Sequence, residues 1–105
     1  MEMHKEQNLI IMIEKDKILV VDDEQSARQF LADILSDEGF QVLLADNSEL
    51  ALKCAPSQPI KLILLDVNMP GISGLEVCER LKVQESTRSI PIIFISGTLS
   101  HKEKM

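Results

Sequence analysis

Residues 60–76 read Ile60-Lys61-Leu62-Ile63-Leu64-Leu65-Asp66-Val67-Asn68-Met69-Pro70-Gly71-Ile72-Ser73-Gly74-Leu75-Glu76. An apolar run of strand length ends in a carboxylate. A loop follows that pairs a φ-restricted proline with a glycine able to take φ > 0, so the chain can turn sharply just after Asp66. Ser73 and Glu76 then stand at the spacing of a capping box and open a helix. A continuously apolar strand is expected where both faces of a parallel sheet are covered.

Working outward, two more apolar runs have the same ending. Lys17-Ile18-Leu19-Val20-Val21 runs into Asp22-Asp23, and Ile90-Pro91-Ile92-Ile93-Phe94-Ile95 runs into Ser96-Gly97. Between them lie helical patterns. Residues 25–38 carry Ala27, Phe30, Leu31, Ile34 and Leu35 at i, i+3, i+4, i+7 and i+8, with Gly39 in the C′ place. Residues 41–45 form a second strand. Asp46-Asn47-Ser48 is a cap cluster before a helix over 48–55, with Leu50, Ala51, Cys54 and Ala55 on one stripe and Pro56 and Pro59 ending it. The third helix runs from Ser73 to about Val83 with Leu75, Cys78 and Leu81 inward, and 84–89 reads as a polar loop.

Strands alternating with helices at short spacing predict right-handed βαβ units and a parallel sheet. The C-terminal ends of parallel strands share one edge, where open α/β sheets bind ligands. Asp22, Asp23, Asp66 and Ser96 would gather there, a donor set for a hard cation and a phosphoryl group.

The chain has 105 residues, room for one domain. Residues 1–16 read as an N-terminal extension and 17–105 as the domain. Eleven Lys and Arg against 17 Asp and Glu leave a net charge of −6, a poor match for nucleic acid or an anionic membrane. No apolar stretch approaches a membrane span, and Leu9–Ile13 lacks the flanks of a secretory leader, so a cytoplasmic protein is expected. Cys54 and Cys78 read as small buried side chains in reducing conditions, and His4 and His101 as solvated. Glu24 and Arg28 read as solvated residues of the first helix, with a minor role for Glu24 at a metal rim left open.

Residues 17 to about 98 resemble the receiver domain of bacterial two-component response regulators. The resemblance rests on Ile18-Leu19-Val20-Val21-Asp22-Asp23-Glu24, on Leu64-Leu65-Asp66-Val67-Asn68-Met69-Pro70-Gly71, on Ser73-Gly74-Leu75-Glu76 and on Pro91-Ile92-Ile93-Phe94-Ile95-Ser96-Gly97. It implies a three-layer α/β/α sandwich with a parallel, flavodoxin-like sheet of order 2-1-3-4(-5). It also implies that Asp66 is the phosphoacceptor, served by a sensor histidine kinase or a histidine phosphotransfer protein. Asp23, Asp66 and the backbone carbonyl of Asn68 would hold Mg²⁺, Asp22 would act on it through water or as an acceptor, and Ser96 would be the switch hydroxyl. Such a domain is a signalling module and not an enzyme in the ordinary sense.

The family pattern continues with a fourth helix, a fifth strand ending in Lys, and a fifth helix, none of which appears before Met105. Lys102 and Lys104 follow Ser96 too closely to replace that lysine. Strand four is then expected as a bare apolar edge, which favours a homo-oligomer, a strand-exchanged dimer among the options. Leu9–Ile13 is a candidate partner for that edge, or else a frayed tail. An alternative function is a non-phosphorylated docking or dimerisation module. A phosphatase of the haloacid-dehalogenase type is disfavoured, because Asn68 stands where its D-x-D motif needs a second acid.

Overall fold

The computed structural model describes residues 15–96. Leu9–Ile13, His4, Gly97, His101, Lys102 and Lys104 lie outside them. The elements run β1 (Lys17–Val21), α1 (Gln25–Asp37), β2 (Gln41–Ala45), α2 (Ser48–Ser57), β3 (Ile60–Asp66), α3 (Gly74–Lys82) and β4 (Ile92–Ile95). All strand pairings are parallel and the sheet order is β2-β1-β3-β4, as the resemblance implied.

Alternation along the strands feeds two apolar layers, because successive side chains point to opposite faces. Leu19, Val21, Ile63 and Leu65 pack with Ala51 and Ala55 of α2 and Val77 and Leu81 of α3. Ile18, Val20 and Leu64 pack with Leu31 and Leu35 of α1. The α/β/α layering therefore follows from the apolar runs Ile18–Val21 of β1 and Leu62–Leu65 of β3, whose alternate side chains pack on opposite faces of the sheet.

Four helix readings need correction. Pro56 lies inside α2 and does not end it. In the last turn a proline forfeits a single backbone bond, and Ser57 Oγ donates to the Cys54 carbonyl at 2.8 Å. The break comes at Gln58, held extended by the ring of Pro59. Leu75 is 56 % exposed, whereas Val77 is fully buried. The inward stripe of α3 is Gly74, Val77, Cys78 and Leu81, a strict i, i+3, i+4, i+7 set that places Leu75 a step off the seam. On α1 the seam is centred on Leu31 and Leu35, so Phe30 (65 % exposed) and Ile34 fall on its flank. Leu50 is likewise exposed beside buried Ala51.

The caps explain where the helices start. Asn47 caps α2 by accepting from the Leu50 N–H at 2.8 Å. Ser73 caps α3 by accepting from the Glu76 N–H at 3.3 Å, while the Glu76 carboxylate pairs with Arg80 at 2.7 Å. The 84–89 segment is not wholly solvated. Thr87 is buried and donates to the Leu81 carbonyl at 2.6 Å, and Lys82 Nζ donates to the Ile90 carbonyl at 2.7 Å. Both bonds tie this segment to the end of α3 and to the residue leading into β4.

Candidate metal and phosphoryl site

Strand register builds the site. Val20 pairs with Leu64 and Val21 with Leu65, so the next step sets Asp22 opposite Asp66 on neighbouring strands. Both acids share the parity of Val20 and Leu64 and therefore emerge on the α1 side of the sheet edge. Asp23 follows at the mouth and is exposed, while Asp22 and Asp66 are buried. Carboxylate oxygens of Asp22, Asp23 and Asp66 all lie within 4.8 Å of one another.

The surrounding backbone holds these acids still. Asp22 Oδ1 accepts from the Glu24 N–H at 3.0 Å, and Asp66 Oδ1 accepts from the Asn68 N–H at 3.1 Å. The Val67 N–H donates to the Ile95 carbonyl, and the Gly74 N–H to the Val67 carbonyl, both at 3.1 Å. Gly71 takes φ +77, as the loop reading required, and buried Met69 pins the loop to the core.

Asp22 Oδ2 and Asp66 Oδ2 are buried with no hydrogen-bond partner. Two such oxygens face to face are costly as anions. Accordingly the carboxyl of Asp66 is pushed up to about 6, mainly by burial. The charges of Asp22 and Asp23 push the same way, while the Asn68 N–H opposes them. A shared proton or a cation is what satisfies the pair. Three hard oxygen donors on two strand ends suit Mg²⁺, which prefers carboxylates and retained water.

Sequence reasoning placed Asp22, Asp23 and Asp66 together, and the fold brings them together. Asn68 stands beside them and offers its N–H to Asp66, with its side chain exposed. Ser96 follows Ile95, the register partner of Asp66, and with Asp22, Ala27, Phe30, Leu31 and Ile95 lines a hollow of about 210 Å³.

Three contributors were missed. Arg28 is not simply solvated, since its Nη1 donates to the Asp22 carbonyl at 2.9 Å. Ser48 is buried and donates to the Ile72 carbonyl at 2.6 Å, tying the start of α2 to the β3–α3 loop. Gly74 leaves no space for a side chain, because a Cβ there would collide with the backbone carbonyl of Asp66. The Ser73-Gly74 pair carried that last signal, but only the approach of α3 to the end of β3 gives it meaning.

A parallel β2-β1-β3-β4 sheet with three acids at its C-terminal edge defines a class, and comparison with known proteins agrees. The family model of the response regulator receiver domain matches residues 18–105, and the chain belongs to that family. It is 41% identical over 87 residues to the CAI-1 autoinducer sensor kinase/phosphatase CqsS of Vibrio cholerae, covering 82% of this chain and 13% of that protein. It is 42% identical over 80 residues to the phosphate regulon transcriptional regulatory protein PhoB of Pseudomonas aeruginosa, covering 76% and 35%. The chain thus spans well under half the length of these relatives. Among solved structures, the chemotaxis response regulator CheY4 of Vibrio cholerae superposes with a TM-score of 0.76 at 32% identity, covering 86% of this chain and 75% of that one. The complex of histidine kinase ThkA with response regulator TrrA gives 0.72 at 40% identity, covering 78% and 69%. No helix among the described residues is long and apolar enough to cross a membrane.

Proposed function

We propose that this chain is the phosphoacceptor module of a two-component phosphorelay, with Asp66 as the accepting residue. The observation that supports this most is the pair of buried, partnerless oxygens, Asp22 Oδ2 and Asp66 Oδ2, at the C-terminal edge of the sheet. The donor is a phosphohistidine on a sensor kinase or a histidine phosphotransfer protein, in keeping with the similarity to a regulator solved with its kinase.

In the transfer, a carboxylate oxygen of Asp66 bonds to phosphorus as the P–N bond to the donor histidine breaks, and the electron pair of that bond stays on the imidazole. A carboxylate attacking an anionic phosphoryl group needs opposing charge. Asp22, Asp23, Asp66 and the Asn68 carbonyl would hold Mg²⁺, which supplies that charge when bound. The chain's own contribution is to orient. The Asn68 N–H fixes one oxygen of Asp66, and the packing of Gly74 fixes its backbone. The hydroxyl of Ser96, at the next strand end, turns toward the phosphoryl group once it is in place. The phosphoryl group remains on the chain as a mark, so the module carries a signal in the cytoplasm and turns over no external substrate.

Incubation with acetyl phosphate and Mg²⁺, read by intact mass, tests the reading. One added phosphoryl group is expected on the wild type and none on Asp66→Ala. A wild type that gains nothing refutes it and leaves a docking module in its place.

A further inference from the structure

Three hydrogen bonds fix Asp22 in place. Its N–H donates to the Ala45 carbonyl at 3.1 Å, its Oδ1 accepts from the Glu24 N–H at 3.0 Å, and its carbonyl accepts from Arg28 Nη1 at 2.9 Å. The last of these comes from a helix. Arg28 sits on α1, where its own N–H donates to the Glu24 carbonyl at 3.0 Å. Its half-buried side chain reaches back six residues to the end of β1.

The carbonyl that Arg28 holds belongs to the peptide joining Asp22 to Asp23. A peptide unit is planar, so fixing its oxygen also fixes the direction in which the chain enters Asp23. Asp22 and Asp66 are buried, and each has one carboxylate oxygen held by the backbone N–H two residues on. Asp23 is exposed at the mouth, yet its carboxylate stands within 4.8 Å of the other two. A guanidinium suits the task of holding the peptide before it, being rigid, permanently charged and rich in donors. Among the described residues it makes no ion pair with Asp22, Asp23 or Asp66, so it leaves their carboxylates open to a cation.

We propose that Arg28 is a positioning residue: by holding the Asp22 carbonyl it keeps the Asp22–Asp23 peptide turned so that Asp23 completes the three-acid site. This rests on the reading of that site as a Mg²⁺ site. A purely electrostatic role has the opposite sign. A cation beside three acids repels Mg²⁺, so its removal alone would tighten binding. Positioning requires that its removal weaken binding, as loss of a group that orients metal ligands does.

Titration calorimetry of Mg²⁺ into the full chain, with circular dichroism confirming that each variant is folded, tests this without phosphoryl transfer. Arg28→Met keeps the apolar stem and loses both donor and charge. Arg28→Gln keeps an amide donor too short to reach. Each should bind Mg²⁺ about tenfold more weakly than the wild type. Arg28→Lys retains a charged donor of nearly the same reach and should recover most of the affinity. In chelator, with no metal bound, the Glu24 amide should exchange several-fold faster in Arg28→Met, while the amides of β3 exchange as in the wild type. Mg²⁺ binding that is unchanged or tighter in Arg28→Met and Arg28→Gln would overturn the proposal and leave the metal reading standing. A lowered urea midpoint as the sole effect would do the same, reducing Arg28 to a staple between α1 and β1. A wild type that binds no Mg²⁺ would overturn the metal reading and the proposal with it.

Discussion

Asp22 and Asp66 stand opposite one another at the ends of β1 and β3, each with one buried oxygen that no donor reaches. Their proximity is a consequence of register. One step beyond the Val21–Leu65 pair, two carboxylates emerge on the same face, where parallel strands lie about 4.8 Å apart. The fold has set like charges together, and the following expectations rest on that cost.

Asp66→Asn should stabilise the metal-free protein at pH 7 by about 1–3 kcal/mol, because a neutral amide can donate to Asp22 where a second anion could not. Urea unfolding in the presence of a chelator measures this. The same variant should take up no phosphoryl group. A loss of stability would mean that the two acids do not oppose one another.

Without metal, stability should rise as pH falls. The folded-state carboxyl of Asp66 sits at about 6 against 3.8 ordinarily, so between these values the native protein binds more protons than the unfolded chain. The slope of unfolding free energy against pH is then negative in that window. The penalty is present in full above pH 6 and is gone below pH 4. Comparing urea midpoints at pH 7 and pH 5 in chelator checks the sign, and Asp66→Asn should flatten the difference.

Mg²⁺ should raise the melting temperature beyond an ionic-strength control, since a ligand at a hundred times its Kd adds about 2.7 kcal/mol. Protonation of Asp66 competes with the ion, so this gain should shrink below pH 6. Asp22→Asn and Asp23→Asn should each weaken it. Thermal melts across a Mg²⁺ titration provide the readout.

Gly74→Ala should destabilise by about 1–3 kcal/mol, against the helix preference for alanine, because the added Cβ meets the Asp66 carbonyl and lies 2.9 Å from Val67 Cα. It should also lower Mg²⁺ affinity by displacing Asp66. An unchanged melting temperature would show that α3 can move away from β3 freely.

Ser48→Ala should cost about 1–2 kcal/mol, as the half-buried Ile72 carbonyl loses its donor. Amide exchange should quicken across 67–73 more than elsewhere, because the bond ties that loop to α2.

Much of this was legible in the chain. The apolar runs ending in Asp66 and in Asp22-Asp23, with helical periods between them, are local patterns, and local patterns suffice for a parallel α/β sheet with acids at one edge. The helix faces were harder to read. Phe30, Ile34, Leu50 and Leu75 all satisfy an amphipathic spacing, yet each sits a step from the seam that packing selected. A 3.6-residue period leaves several neighbouring stripes acceptable, and only the mating surface chooses among them.

Thus the order of elements, the acid-ended strands and the sharp loop at Pro70-Gly71 were determined by the sequence alone, since each depends on residues close together along the chain. The register that sets Asp22 against Asp66, the Arg28 bond to the Asp22 carbonyl, the Ser48 tie to Ile72 and the space denied at Gly74 were decided only in three dimensions. These last depend on which surfaces of distant segments meet, and the free energy of that meeting is a property of the packed whole.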